Sequence, residues 1–177
     1  MIVLGIDPGT RITGYGLVCK NGSLLQPLDY GCIRPPPNLP LPERYRILFE
    51  SLETLIERNR PDALSVESQF VLKNAQSALK LGMAKGMAIL AASRRSIPIF
   101  EYPPSKAKLA VSGTGRASKW QVQKMIQTLL RLPALPEPED AADALALAIC
   151  HLQSEGTRLC LNRSEALSKK KNRPLRL

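Results

Sequence analysis

The chain has 177 residues, of which 44% are hydrophobic and 23% charged, the size and balance of one globular domain with a single core. Its longest apolar runs break well short of a bilayer's thickness, and the start, MIVLGIDPGT, has neither a basic leader nor a cleavage site, so neither a membrane span nor a signal peptide is expected. The net charge of +10 calls for a polyanionic partner, although residues 158–177 concentrate seven Lys or Arg against Glu165 alone and leave a mildly basic body.

Ile2 to Asp7 reads as a short apolar strand stopped by the turn triplet Pro8-Gly9-Thr10. Ile12 to Cys19 continues as a second strand with Gly14 and Gly16 inside it. Asn21-Gly22 is a hairpin signal, and Leu24 to Ile33 follows as a third strand, so the three form an antiparallel meander. Past the proline-rich connection Pro35–Pro42, the period changes. Tyr45, Leu48, Leu52, Leu55 and Ile56 are spaced as one face of a helix from Glu43 to near Arg60-Pro61.

Ala63 to Glu67 is a fourth strand, expected to be central. Asn74 to Ser96 is a long helix, apolar and rich in small residues on most sides, with Gly82 and Gly86 four apart. Such a helix needs cover on two faces. One cover is the sheet; the other is either more of the same core or a second copy of the chain drawn close at the glycines. Ile97 to Tyr102 is a fifth strand, Pro104 to Val111 a short helix, and Gly113-Thr114-Gly115 a flexible loop. Ser118 sits as an N-cap ahead of Val122, Met125, Ile126, Leu129 and Leu130, Pro133–Pro138 breaks that helix, and a last helix runs from Glu139 to about Gln153. The predicted fold class is therefore α/β, a mixed five-stranded sheet (the three-strand meander plus parallel strands) flanked by helices, with the RNase H-like arrangement. Residues 1–155 form the domain. Residues 156–177 are a basic tail, read either as a disordered solubilising segment or as a direct DNA contact. Cys19, Cys32, Cys150 and Cys160 form no CxxC pair, and with His151 the sole histidine they read as reduced cytosolic thiols.

Four acids fall where strands and helices end. Asp7 closes the first strand, Glu67 the fourth, and Asp140 and Asp143 lie three apart on one face of the last helix, among alanines that keep it slim. Carboxylates crowded together repel each other unless a cation sits among them. Hard oxygen ligands suit Mg²⁺, with Mn²⁺ as a substitute, and two such ions about 4 Å apart activate water for hydrolysis of a phosphodiester. Singly, each acid has a blander reading: a turn former for Asp7, an exposed strand end for Glu67, a helix N-terminal acid for Asp140. Asp143 is harder to dismiss, because a charge in an alanine and leucine helix is costly without a partner.

The blocks LGIDPGTRITGYG (4–16), SVESQF (65–70), NAQSALKLGMAKGMA (74–88), FEYPPSKAK (100–108), GTGRASKWQVQKM (113–125) and EDAADALALAI (139–149) together resemble the RuvC family of Holliday junction resolvases. The resemblance implies a homodimeric, magnesium-dependent endonuclease that cuts four-way junction DNA symmetrically in recombination and repair. It implies Asp7, Glu67, Asp140 and Asp143 as catalytic metal ligands for two ions, and RuvA and RuvB as associated branch-migration proteins. It also implies that Phe70 stacks on a base near the junction and that Lys108 and Lys119 hold the scissile phosphate, with Arg116 as a further DNA contact. For Phe70 a packed loop anchor, and for Arg116 a solvated surface cation, are the plain alternatives.

Three rivals are set against this reading. GIDPGT resembles the first phosphate loop of actin-type and sugar kinases, but that class needs two domains and a second glycine-rich acidic motif. Another RNase H-like nuclease would act on RNA. A non-catalytic DNA-binding module would explain the charge and leave the four acids unexplained.

Overall fold

The computed structural model describes residues 1–68 and 75–171, with side chains as far as residue 156. Ile2–Asp7 (β1), Thr13–Asn21 (β2) and Leu24–Ile33 (β3) form the antiparallel meander. The turn uses Gly22 and Ser23, one residue later than Asn21-Gly22, because Asn21 still pairs with Leu24 and the positive φ of 61° falls on Gly22. Ala63–Glu67 (β4) lies parallel to β1, and Ile99–Tyr102 (β5) parallel to β4, giving the sheet order β3-β2-β1-β4-β5. This is the mixed five-stranded sheet expected from the sequence.

Helices cover both faces. Leu41–Asn59 (α1) and Ala75–Ser93 (α2) pack with Leu4, Ile6, Leu17, Leu64 and Val66 on one side. On the other, Pro104–Ser112 (α3), Lys119–Leu130 (α4) and Glu139–Lys171 (α5) pack with Val3, Val18 and Ala63. Leu41 begins α1 two residues before Glu43, since a proline in the first helical turn lacks only an N–H that would have been unpaired there. Ser118 caps α4 as expected, and Gln121 reciprocates in a capping box. The last helix runs on to Lys171 instead of ending near Gln153. Between those points Gly156 is the only strong helix breaker, a penalty of about 1 kcal/mol that leaves the helix intact. Among the described residues no helix is long and apolar enough to cross a membrane.

The placement of α5 follows from glycine. A Cβ at Gly5 would come within 2.0 Å of the Ala144 carbonyl oxygen, one at Gly14 within 1.9 Å of the Asp140 carbonyl oxygen, and one at Gly16 within 2.8 Å of the Leu145 side chain. These strand glycines form a floor on which the backbone of α5 rests, and the buried Ala141, Ala144 and Ala148 keep the helix side of the contact equally thin. Buried Ser65 on β4 adds an anchor, its hydroxyl donating to the Leu147 carbonyl at 2.8 Å.

A methyl group at Gly5 or Gly14 has nowhere to go. Gly14→Ala and Gly5→Ala are each expected to lower the unfolding free energy by roughly 3 kcal/mol, the upper range for overpacking, in urea titrations followed by circular dichroism. An unchanged urea midpoint for both would mean that α5 does not lie on the sheet this closely.

Candidate active site

Strand period decides which side chains meet α5. On β1 the even positions Leu4 and Ile6 join α1 and α2, so the odd positions Val3, Gly5 and Asp7 face α5. On β4, Leu64 and Val66 join the α1 side, which turns Ala63, Ser65 and Glu67 to the α5 side. Ile6 pairs with Val66 across parallel strands, so Asp7 and Glu67 stand abreast at the carboxyl ends of adjacent central strands. Asp7 pairs in turn with Gly14, over which the first turn of α5 sits. That contact carries Asp140 and Asp143 to the same end of the sheet. Asp7, Glu67, Asp140 and Asp143 are all partly buried there.

Their electrostatics are those of anions held without a counter-ion. Burial, followed by the charges of Glu67, Asp143 and Asp140, pushes the Asp7 carboxyl up to about 8. The protonated Asp7 donates a hydrogen bond to Glu67, which lowers Glu67 somewhat, yet burial and Asp143 still leave Glu67 above the usual range. Burial also raises Asp143 against the opposing pull of Lys119. Among the described residues no three of these groups are already set as a closed metal cage. Crowding and burial push Asp7 and Glu67 towards their neutral forms, and a divalent cation would relieve the same repulsion among carboxylates drawn in from both strands and the helix. The all-oxygen donor set fits a hard cation.

Beside the acids lies a cavity of about 200 Å³ lined by Glu67, Asp143, Lys108, Lys119, Pro104 and Val122 among others. Lys119 Nζ is 2.8 Å from Glu139 and 3.8 Å from Asp143, and Lys108 Nζ donates to the Ala117 carbonyl at 3.1 Å. Both lysines thus border the carboxylates. Arg116 is exposed in the loop before α4, outside the cavity lining, with its backbone N–H donating to Thr114 Oγ1. Phe70 lies outside the described residues, as does Asn74 at the expected start of α2. Sequence reading missed the role of Glu139. In sequence it reads only as the start of a helix, yet it forms an exposed ion pair with Lys119, and nothing in its local pattern distinguishes it from a helix N-terminal acid. His151 is fully buried in the α5 core, 2.8 Å from the Tyr102 hydroxyl and stacked near Phe100, remote in kind from a surface metal ligand.

Residues 3–151 match the family model described as Crossover junction endodeoxyribonuclease RuvC. A protein of that name from Protochlamydia amoebophila is 60% identical over 153 residues, 86% of this chain and 91% of the relative. One from Desulforamulus reducens is 50% identical over 157 residues, 89% and 96% of the two chains. Among solved structures, Thermus thermophilus RuvC in complex with Holliday junction substrate superposes with a TM-score of 0.81 at 35% identity, covering 86% of this chain and 93% of that one.

The crowded acids make a stability prediction with a definite sign. Asp7 has an ordinary carboxyl value of 3.8 and is raised to about 8 in the fold, so the unfolded chain gives up this proton first and the metal-free protein loses stability as pH rises from about 4 to 8. In EDTA, the melting temperature is expected to be lower near pH 8 than near pH 6. Asp7→Asn should flatten that slope and raise the value near pH 8 by about 5 °C. A metal-free wild type indifferent to pH in this window, with no gain from Asp7→Asn, would remove the conflict described here.

Proposed function

This chain belongs to the RuvC family of crossover junction endodeoxyribonucleases, and we propose that Asp7, Glu67, Asp140 and Asp143 hold two Mg²⁺ ions at the site where it cuts four-way junction DNA. The chain is an endodeoxyribonuclease with the RNase H-like fold. The single observation that carries the metal assignment is geometric: Asp7 and Glu67 stand abreast at the ends of adjacent strands, beneath the first turns of the helix that brings Asp140 and Asp143. When bound, divalent ions, Mg²⁺ or Mn²⁺ in its place, supply the positive charge that activates a water and steadies the leaving oxygen of the phosphodiester.

The residues of the chain do the remainder. Asp7 and Glu67, side by side at the ends of adjacent strands, present their carboxylate oxygens as ligands. Burial raises Asp143, and the Lys119 charge beside it works against that shift. Lys108 and Lys119 flank the cavity and hold the scissile phosphate, Lys119 by leaving Glu139 for the stronger anion. Arg116, in the exposed loop, is proposed as a contact to a neighbouring phosphate, and Phe70 as a base-stacking residue at the junction centre.

Paired cuts need paired sites, and α2 supports a homodimer. It packs on α1 through Ala84, Ala88 and Ala91 but leaves Leu79, Met83 and Leu90 at 67%, 46% and 48% exposure, while a Cβ at Gly86 would meet nothing within 4 Å. Spaced along one helix side, these residues form an apolar stripe around an open glycine, a surface that a second copy would bury. The family resemblance further supports a cytoplasmic role with RuvA and RuvB at branch-migrating junctions.

Two outcomes follow. On a labelled synthetic four-way junction, wild type should cut symmetrically with Mg²⁺ and not in EDTA, sparing linear duplex and an RNA/DNA hybrid. Asp143→Asn and Glu67→Gln should bind the junction but cut it at least about 10³-fold more slowly. Cleavage of the hybrid instead would keep the site and move the substrate to RNA. Second, Met83→Arg combined with Leu90→Glu should convert a dimer into a monomer in sedimentation and abolish paired cuts; a wild type that is monomeric while resolving junctions would defeat the dimer assignment.

A further inference from the structure

Helix α4 carries an apolar residue that folding does not use. Its core face is Val122, Ile126 and Leu130, whereas Trp120, on another face, is 60% exposed and Met125 38% exposed. Trp120, Met125, Lys124, Gln121, Thr114 and Ala117 line an open groove of about 290 Å³. Trp120 and Lys124 are one helical turn apart and so stand on the same side. The groove and the acid cavity lie against opposite sides of one short segment: Lys108 and Lys119 line the cavity, Lys108 donates to the Ala117 carbonyl, and Ala117 and Trp120 line the groove.

The charge around the groove selects its occupant. From Tyr102 to Pro136 the chain carries Lys106, Lys108, Arg116, Lys119, Lys124 and Arg131 and not one Asp or Glu. A flat exposed indole amid cations is poorly matched to an apolar protein surface, which would have to desolvate those charges. It is well matched to a nucleic acid strand, whose phosphates the cations meet and whose base the ring can stack on without sequence preference. An indole is also the largest such platform among the side chains.

We infer that Trp120 stacks on an unpaired base of the junction strand next to the scissile phosphate, with Lys124 on the adjoining phosphate, making this groove a base-holding subsite of the nuclease. The inference rests on the proposed junction-cutting function and adds a residue to it. The subsite takes any base, so it favours a strand already opened at the branch point over intact duplex.

Trp120 is the only tryptophan in the chain, so its emission reports on this site alone. Full-length protein in EDTA is titrated with a synthetic four-way junction and with a linear duplex of equal length, following emission alongside the anisotropy of a labelled DNA. The junction should quench Trp120 by at least about half and the duplex much less. Trp120→Ala should weaken junction binding about tenfold with an unchanged melting temperature, Trp120→Phe should stay near wild type, and Trp120→Leu, which keeps apolar bulk without a ring face, should behave as the alanine variant. Emission unmoved at saturating junction, with Trp120→Ala binding within twofold of wild type, would overturn the inference and leave the groove to a protein partner. The same holds if leucine substitutes fully. With Mg²⁺ added, cleavage by wild type alongside such a result would confine the failure to Trp120, whereas no binding or cleavage of the junction at all would fell the proposed function and this inference together.

Discussion

The architecture turns on a helix that meets the sheet almost backbone to backbone. Gly5 and Gly14 on two adjacent strands and Ala141, Ala144 and Ala148 on α5 bring backbone against backbone, and Gly16 makes room for Leu145. Ordinary packing of a helix on a sheet would interpose a layer of Leu or Val side chains and lift the helix away. At that greater height, carboxylates on α5 could not join Asp7 and Glu67, because Asp side chains are short. The small residues are therefore selected by the site as much as by the core, and the site's spacing is stored in the sheet itself.

Such closeness carries an electrostatic penalty that the rest of the domain must absorb. Four partly buried acids at one sheet end oppose folding, as the elevation of Asp7 to about 8 records. The core compensates with two packed layers, one on each face of the sheet, containing fully buried Leu4, Ile6, Leu17 and Leu64 on one side and Leu145, Leu147 and Ile149 on the other. Lys119 and Lys85 offset part of the charge at the edges, Lys119 beside Asp143 and Lys85 paired with Glu101 at 2.6 Å. Neither replaces a cation between the carboxylates. Destabilisation is thereby concentrated at one sheet end, where a bound cation would relieve it and stabilise the α5 contact.

How much of this was legible depends on the range of the physics involved. Strand period and the Pro8-Gly9 and Gly22 turns are local, so the meander and the seven later elements could be read directly, and the acids stood out because Asp143 interrupts an apolar helix. The glycines were visible as residues but not as a floor, since what Gly14 touches lies more than a hundred positions away in Asp140. The pairing of Glu139 with Lys119 was hidden for the same reason. The end of α5 lies well beyond the expected Gln153, because the segment after it is polar and polarity alone does not break a helix. Trp120 gave no warning: within the run Lys119–Leu130 an aromatic residue fits a core position as well as a surface one, and only the helix phase places it outside.

The two faces of the sheet divide the work. The α1 and α2 layer buries an alanine seam in the core and turns the apolar stripe of Leu79, Met83 and Leu90 outward. The α3 to α5 layer turns outward lysines, a lone indole and the acids, a surface matched to DNA. Because β1 contributes Leu4 and Ile6 to the first layer and Gly5 and Asp7 to the second, alternation along one strand connects them. A one-residue slip in that strand would exchange the two sets and destroy both surfaces at once. Gly5 and Asp7 belong to the site for the same reason that Leu4 and Ile6 belong to the core: the period of a β-strand is two.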